Sequence, residues 1–297
     1  MTTTASDMPH QDSKPLIAAI WMIGAVASFT SMAVAGRAVS LELDTFEIMA
    51  WRSIVGVLIV VSVLTLRRRW HVVDFRHPLL HLGRNLAHFT AQNLWFFAIA
   101  SIPLAQVFAL EFSSPLWALL LSPLFLDERL TRARVLSAFL GFIGILLVAQ
   151  PGVTPLSPGL VAAAVAAIGF ALTYIVTKRL TGMTHILCIM FWMTVMQTVF
   201  GFVGAGIDGS VAFPSAAAWP WVALIGAAGL CAHFCIANAL SVAPATVVMP
   251  FDFLRLPVAA LIGLLFYDEP VGLAIILGAA LILTGNWINI RAEARPR

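Results

Sequence analysis

The sequence contains an internal repeat at an offset of 141 residues, and the repeat covers most of the chain. The following residues align without a gap: Pro103 with Pro244, Glu111 with Asp252, Asp127-Glu128 with Asp268-Glu269, and Gly144 with Gly285. The same offset pairs Phe29 with Phe170, so the duplication extends into the N-terminal part of the chain. Solenoid repeats have periods of about 20 to 50 residues, and a period this long indicates two half-proteins instead.

The composition places both copies in a membrane. Of the 297 residues, 61% are hydrophobic and only 10% are charged, which excludes an ordinary soluble protein. A helix of about 20 apolar residues crosses the hydrocarbon core of a bilayer, and such windows recur along the whole chain. We predict ten transmembrane helices near residues 15–36, 45–66, 79–101, 103–126, 133–149, 158–178, 184–206, 217–240, 244–266 and 270–290.

Lysine and arginine residues determine the predicted orientation, because the cytoplasmic loops of membrane proteins carry an excess of them. With the N-terminus inside, thirteen of the 17 Lys and Arg residues fall in cytoplasmic segments, and only Arg37 falls in an external loop. Arg52, Arg84 and Arg255 lie within predicted helices. Both termini are therefore predicted to be cytoplasmic. The net charge of +3 reflects this orientation and does not indicate a nucleic-acid partner.

Each copy contains five predicted helices, and an odd number forces the second copy to cross the membrane in the opposite sense. The charges agree, since Arg67 corresponds to Asp208 and Arg129 to Pro270. We therefore expect an all-α polytopic membrane protein with ten transmembrane helices in two inverted five-helix repeats. The predicted units are residues 1–14 as a disordered cytoplasmic tail, 15–150 and 156–290 as the two repeats, and 291–297 as a second cytoplasmic tail.

Inverted repeats are typical of secondary transporters, because two similar halves can exchange inward-open and outward-open packings. The chain also resembles the EamA-type members of the drug/metabolite transporter superfamily. The features that carry this resemblance are the ten-helix plan, the duplicated block from proline to Asp-Glu, Arg52 early in the second helix, and Gly141-x-x-Gly144 after LFLDERLT. The resemblance covers nearly the whole chain and implies a carrier of amino acids or other small metabolites. The segments HLGRNLAHFTAQNLWFFAIASIPLA and PFDFLRLP are similar to members assigned to S-adenosylmethionine or riboflavin uptake.

The third predicted helix carries polar side chains at steps of three and four residues, which places them along one side. The row consists of His81, Arg84, Asn85, His88, Gln92 and Trp95. Polar groups inside a membrane need a protein partner or a wet cavity, so we expect this side to line a substrate cavity. Arg84 would bind an anionic group of the substrate, and His88 and Gln92 would donate and accept hydrogen bonds. The indole of Trp95 would stack on a flat apolar part of the substrate. For His81 and Arg84 the alternative is snorkelling towards the cytoplasmic headgroups.

Glu111 lies deep in the fourth predicted helix, and its counterpart in the repeat is Asp252. Asp252 shares a helix face with Arg255, which can pair with it or reach across to Glu111. If Arg255 neutralises Asp252, Glu111 is short of a partner. One interpretation of Glu111, Asp252 and Arg255 is structural: their paired charges hold the two halves in register. The other is a protonatable carboxylate, and we predict Glu111 as the residue that couples transport to protons.

The remaining candidates follow from their positions. Phe108 and Ser114 flank Glu111. The predicted substrate-binding set consists of Arg84, His88, Gln92, Trp95, Phe108, Glu111, Ser114, Asp252 and Arg255. Pro115 and Pro257 follow the buried charges and are predicted to kink their helices, because each removes a backbone donor.

Neither a metal nor a cofactor is expected. The three cysteines, Cys188, Cys231 and Cys235, all fall in predicted helices and are interpreted as small packing residues, since their spacing fits neither a disulfide nor a zinc site. No phosphate-loop motif is present, so the sequence does not indicate ATP-driven transport.

We therefore expect a secondary transporter in the bacterial cytoplasmic (inner) membrane that moves a small organic metabolite by alternating access. The substrate would be amino-acid-like or another polar or aromatic compound, export is favoured over import, and protons would be the coupling ion. The alternative is uptake of a nucleoside- or flavin-like metabolite of the S-adenosylmethionine or riboflavin type. An enzyme using His88, Glu111 or Ser113 would need a catalytic spacing that the sequence lacks, and a channel has less need of inverted repeats.

Overall fold

The computed structural model describes residues 15–126, 132–150, 156–207, 209–242 and 251–293. Within these ranges the protein consists of helices, turns and short connections, with no strand. The helices are α1 (Pro15–Val39), α2 (Thr45–Leu66), α3 (Pro78–Ser101), α4 (Leu104–Glu111), α5 (Ser114–Leu126), α6 (Arg132–Ala149), α7 (Pro158–Thr181), α8 (Ile186–Ala205), α9 (Trp219–Val242), α10 (Arg255–Tyr267) and α11 (Leu273–Glu293). The predicted tail 1–14 and the last four residues of the chain lie outside the described residues.

The helices of the described chain form ten membrane crossings, as the sequence predicts. Seven stretches are long and apolar enough to span a bilayer by themselves. The polar row on α3 explains why that helix is not among them, although its bounds match the predicted window almost residue for residue. The chain is thus an all-α, multi-pass membrane protein.

The fourth crossing is interrupted, which corrects the prediction of one continuous helix over residues 103–126. Helix α4 ends at Glu111, Phe112 and Ser113 form a turn, and α5 begins at Ser114. Pro115 supplies the physical reason, because it has no N–H to donate to the Glu111 carbonyl. That carbonyl instead accepts a hydrogen bond from Ser114 Oγ at 2.6 Å. The kink predicted at Pro115 is therefore a break between two helices.

The ninth crossing is interrupted at the equivalent place. Phe253 and Leu254 form the turn before α10, and the offset of 141 maps Phe112-Ser113 onto these two residues. Pro257 lies in the first turn of α10, where a missing N–H costs little. Residues 244–250, the first part of this predicted helix, lie outside the described residues. Both interruptions bring charged side chains to helix ends inside the membrane.

The two halves are interleaved and do not form separate bundles. The helix pairs with the most extensive packing are α1 with α9, α3 with α7, α2 with α8, and α6 with α11. Every one of these pairs joins the two copies. The offset exchanges the first two pairs and maps α2 onto α8 and α6 onto α11, so the packing has the approximate two-fold symmetry of an inverted repeat.

Small residues allow α6 and α11 to approach closely. A Cβ on Gly144 would lie 2.5 Å from the Gly278 carbonyl oxygen, and a Cβ on Gly285 would lie 2.7 Å from that of Ser137. These two contacts are copies of one another, because Gly144 corresponds to Gly285 and Ser137 to Gly278. The backbones touch where larger side chains would hold the helices apart, which is a common way of packing membrane helices.

Candidate functional site

A small cavity lies between the two halves, among the interleaved helices. Its polar lining comes from α2, α3, α8 and α9: Arg52, Ser53, His88, Gln92, Thr194, Gln197 and His233. Phe29 and Met32 of α1 contribute apolar surface. The cavity volume of about 30 Å³ leaves room for only a few water molecules. The cavity must therefore widen before it can hold a larger molecule.

The internal repeat places this cavity on the approximate two-fold axis. Five pairs of lining residues are related by the offset of 141: Arg52 with Met193, Ser53 with Thr194, Gly56 with Gln197, His88 with Gly229, and Gln92 with His233. The backbone positions are thus duplicated, but the side-chain chemistry is not. The two sides of the cavity therefore offer different chemical groups.

A chain of hydrogen bonds joins three helices at the cavity. Arg52 Nη2 donates to Gln197 Oε1 at 3.3 Å, and Gln197 Nε2 lies 3.2 Å from His88 Nδ1. Helix α2 begins at a capping box formed by Asp44 and Glu47, which fixes its first turns and with them the position of Arg52. The network links residues from both copies, so a change in the packing of the halves alters it.

Three buried polar atoms of the lining residues have no hydrogen-bond partner in the described protein. They are Arg52 Nη1, Ser53 Oγ and Gln92 Oε1. Buried polar groups are nearly always hydrogen-bonded, and exceptions concentrate at functional sites. These atoms are therefore candidates for contacts with a ligand.

The polar residues predicted along one side of α3 have three different surroundings. All six side chains are buried, so the predicted polar side faces the protein. Arg84 is not snorkelling but donates to Thr177 Oγ1 at 3.1 Å and to Asn85 Oδ1 at 2.9 Å. The cavity is lined by His88 and Gln92, whereas Trp95 contacts a second polar cluster at the interrupted helices.

This second cluster is a charge network that spans the two copies. Arg255 Nη1 donates to Glu111 Oε1 at 2.8 Å, and Arg255 Nη2 donates to Asp252 Oδ2 at 2.7 Å. Trp95 Nε1 donates to Glu111 Oε2 at 2.8 Å. The sequence-based expectation that Glu111 is short of a partner is therefore wrong, because one guanidinium serves both acids. It is Asp252 Oδ1 that is buried without a partner.

Aromatic rings enclose this charge network. The guanidinium of Arg255 lies 4.6 Å from the ring centroid of Phe29, 5.0 Å from that of Phe112 and 5.7 Å from that of Phe108. Phe108 is thus part of the aromatic wall, and Ser114 caps the carbonyl end of α4. Cations above aromatic faces are stabilised by the ring quadrupole. The predicted set therefore splits: His88 and Gln92 line the cavity, most of the others belong to the charge network, and Arg84 is separate from both.

One further polar cluster joins the two copies at the end of the bundle where α1 and α3 finish. Arg37 donates to the carbonyl oxygens of Ile99 and Ile102 and forms an ion pair with Glu269. Glu269 Oε2 also accepts a hydrogen bond from the Leu104 N–H at 2.9 Å. The connection between α10 and α11 is thereby fastened to the first copy.

Sequence reasoning missed several cavity residues. Gln197 and His233 lie in strongly apolar helices, and neither belongs to the predicted site. A signal was available in the repeat, because the offset of 141 aligns His233 with Gln92, which was a candidate. The sequence analysis identifies Arg52 only as part of the family resemblance and not as a site residue.

Comparisons with known proteins agree with this architecture. The model of the EamA-like transporter family matches residues 16–150 and again residues 157–291. A riboflavin transporter of Rhizobium johnstonii is 28% identical over 286 residues, which are 96% of this chain and 94% of that protein. An S-adenosylmethionine uptake transporter of Rickettsia bellii is 21% identical over 285 residues, 93% and 94% of the two chains. A protein of known crystal structure, 17% identical, shares the fold with a TM-score of 0.64 over 94% of this chain and 99% of its own.

Proposed function

The chain belongs to the EamA-like transporter family, and from this premise we propose that it takes up a nucleoside- or flavin-like metabolite by alternating access. The observation that carries the proposal is the central cavity, which lies on the axis of an inverted repeat and has a polar, asymmetric lining. Substrate sites of such transporters lie at the interface of the repeats, near interrupted helices. The names of the riboflavin and S-adenosylmethionine uptake relatives favour import over the export that the sequence alone suggested.

The contacts between the halves support a closed state of a carrier. Arg37 and Glu269 fasten one end of the bundle, and the cavity has no room for a metabolite. The two interruptions, at Phe112-Ser113 and at Phe253-Leu254, are equivalent sites at which the halves can bend. Hinges of this kind absorb the backbone changes of large motions. Opening one end while the other stays fastened would expose the cavity to one side at a time.

An enzymatic role has no support in the candidate residues. Ser113 Oγ donates to the Leu110 carbonyl at 2.6 Å within its own turn, and Glu111 is held by Arg255 and Trp95. A nucleophile requires an adjacent base, and these contacts supply none.

The proposal is tested by uptake into proteoliposomes that contain the purified protein. We expect accumulation of riboflavin or S-adenosylmethionine that protein-free liposomes do not show. Gly229→Leu should abolish it, because a Cβ at this cavity residue meets only Met32 Sδ at 3.6 Å and the larger side chain then occupies the space that the substrate needs. The matched control is Gly83→Leu on α3, where an added Cβ meets nothing within 4 Å. Equal uptake by protein-containing and protein-free liposomes would reject the proposed function.

We propose in addition that both termini are cytoplasmic and that the protein resides in the bacterial inner membrane. The basis is the distribution of Lys and Arg between the loops. In a variant with the three native cysteines replaced, an impermeant maleimide applied to intact cells should label Ser210→Cys. The same reagent should label Arg68→Cys and Arg132→Cys only after permeabilisation. Labelling of Arg132→Cys in intact cells would show that the orientation is reversed.

A further inference from the structure

The charges around the cavity discriminate between the two kinds of metabolite. Arg52 lines the cavity, and Arg84 lies one helical turn from His88 on α3. Neither guanidinium forms an ion pair within the part of the chain that the structure describes, since Arg52 binds Gln197 and Arg84 binds Thr177 and Asn85. No aspartate or glutamate among the described residues lines the cavity. The site is therefore positive, and protonation of a lining histidine would only add to this charge.

A positive site in a membrane disfavours a cationic ligand. Buried charges of like sign repel strongly because little water screens them. The acids that could compensate, Glu111 and Asp252, are both bound by Arg255. S-adenosylmethionine carries a sulfonium cation, whereas riboflavin is neutral. On charge alone the cavity suits a neutral or anionic ligand.

The unpaired atoms of the lining indicate which neutral group fits. Arg52 is 9%, Ser53 3% and Gln92 6% exposed, so these side chains are nearly inaccessible to bulk solvent. Arg52 Nη1 is a donor, Ser53 Oγ can donate, and Gln92 Oε1 accepts. Their complement is a ligand edge with carbonyl oxygens beside an N–H. The imide of a flavin or a uracil ring offers these groups, namely two carbonyl oxygens and one N–H.

We propose that Arg52, Ser53 and Gln92 recognise the imide edge of a neutral ring, with Arg52 and Ser53 donating to its carbonyls and Gln92 Oε1 accepting from its N–H. This inference rests on the proposed function and narrows its substrate class to flavin-like compounds. Phe29 and Met32 supply apolar surface against which the flat ring packs. Because the other side of the cavity carries His233 and Gln197, the ring enters in one orientation.

The test measures binding of riboflavin and of its N3-methyl derivative, which lacks the imide N–H, to the purified protein by quenching of flavin fluorescence. Wild-type protein should bind riboflavin about tenfold more tightly than the N3-methyl derivative, because the methylated ring leaves Gln92 Oε1 unpaired. Gln92→Met should lose about the same factor for riboflavin and bind the two compounds equally. Its thermal stability should not fall, since Oε1 has no partner in the described protein to lose. Asn93→Met is the matched control, because Asn93 donates to the Phe89 carbonyl and does not line the cavity.

Several outcomes would overturn the assignment. Equal affinity of the wild-type protein for riboflavin and its N3-methyl derivative would overturn it. So would a Gln92→Met protein that loses the same factor in affinity for both compounds. Uptake of S-adenosylmethionine without uptake of riboflavin would leave the proposed function intact and overturn the imide site. Uptake of neither compound would reject the proposed function and the imide site together.

Discussion

Replacing Arg255 by methionine should lower the free energy of unfolding by about 3 to 5 kcal/mol, the usual cost of removing one partner from a buried ionic group. Arg255 is only 4% exposed and binds both Glu111 and Asp252. Methionine preserves much of the volume and can pack against the surrounding phenylalanine rings, so the loss is mainly electrostatic. Two carboxylates would remain inside the membrane with no cation. Thermal unfolding of the purified protein, followed by tryptophan fluorescence, measures the effect.

Neutralising the acids should reverse this loss. In the triple variant Arg255→Met, Glu111→Gln and Asp252→Asn, no charge is stranded, and unfolding should return to near the wild-type temperature. Arg52→Met is the matched control, since Arg52 is also buried in the membrane but has no carboxylate partner among the described residues. We expect it to impair binding more than folding. An Arg255→Met protein as stable as wild type would show that the network does not hold the halves together.

The sequence predicts the helices and their inversion because these properties are encoded in local apolar length and in the repeat. Helix α3 begins at Pro78 against a predicted start at 79, and the alignment of Arg67 with Asp208 indicates the reversed orientation. The interruption after Glu111 was predicted only as a kink. Its extent depends on Ser114, whose hydroxyl donates to the Glu111 carbonyl in place of the N–H that Pro115 lacks.

The contacts between the halves could be predicted only in part. Arg255 is 144 residues from Glu111 in the chain, and spacing on one helix could show only its proximity to Asp252. The repeat identifies equivalent positions but not their chemistry, and the cavity is lined by pairs as different as Arg52 and Met193. The ion pair of Arg37 with Glu269 joins the last turn of α1 to the connection between α10 and α11, and no periodicity relates these two residues.

The charge network also gives the sharpest test of proton coupling, because two carboxylates share one guanidinium and a single proton would make the group neutral. The sequence favoured Glu111 as the protonated residue. The geometry favours Asp252, since both oxygens of Glu111 already accept hydrogen bonds, whereas Asp252 Oδ1 accepts none and can carry a proton without displacing a donor. Proton relays in membrane transporters are commonly built from such buried acids.

We therefore expect Asp252→Asn to transport substrate at a rate that no longer depends on external pH. Asparagine retains the size and the hydrogen bond to Arg255, and Arg255 keeps its ion pair with Glu111, so stability should change far less than in Arg255→Met. Glu111→Gln, the change at the equivalent position of the other copy, is the matched control and should keep the pH dependence while lowering the rate. Uptake into proteoliposomes at a series of external pH values distinguishes the two. An uptake rate independent of pH in Glu111→Gln, with normal pH dependence in Asp252→Asn, would place the proton on Glu111. Normal pH dependence in both variants would show that the network only holds the halves together.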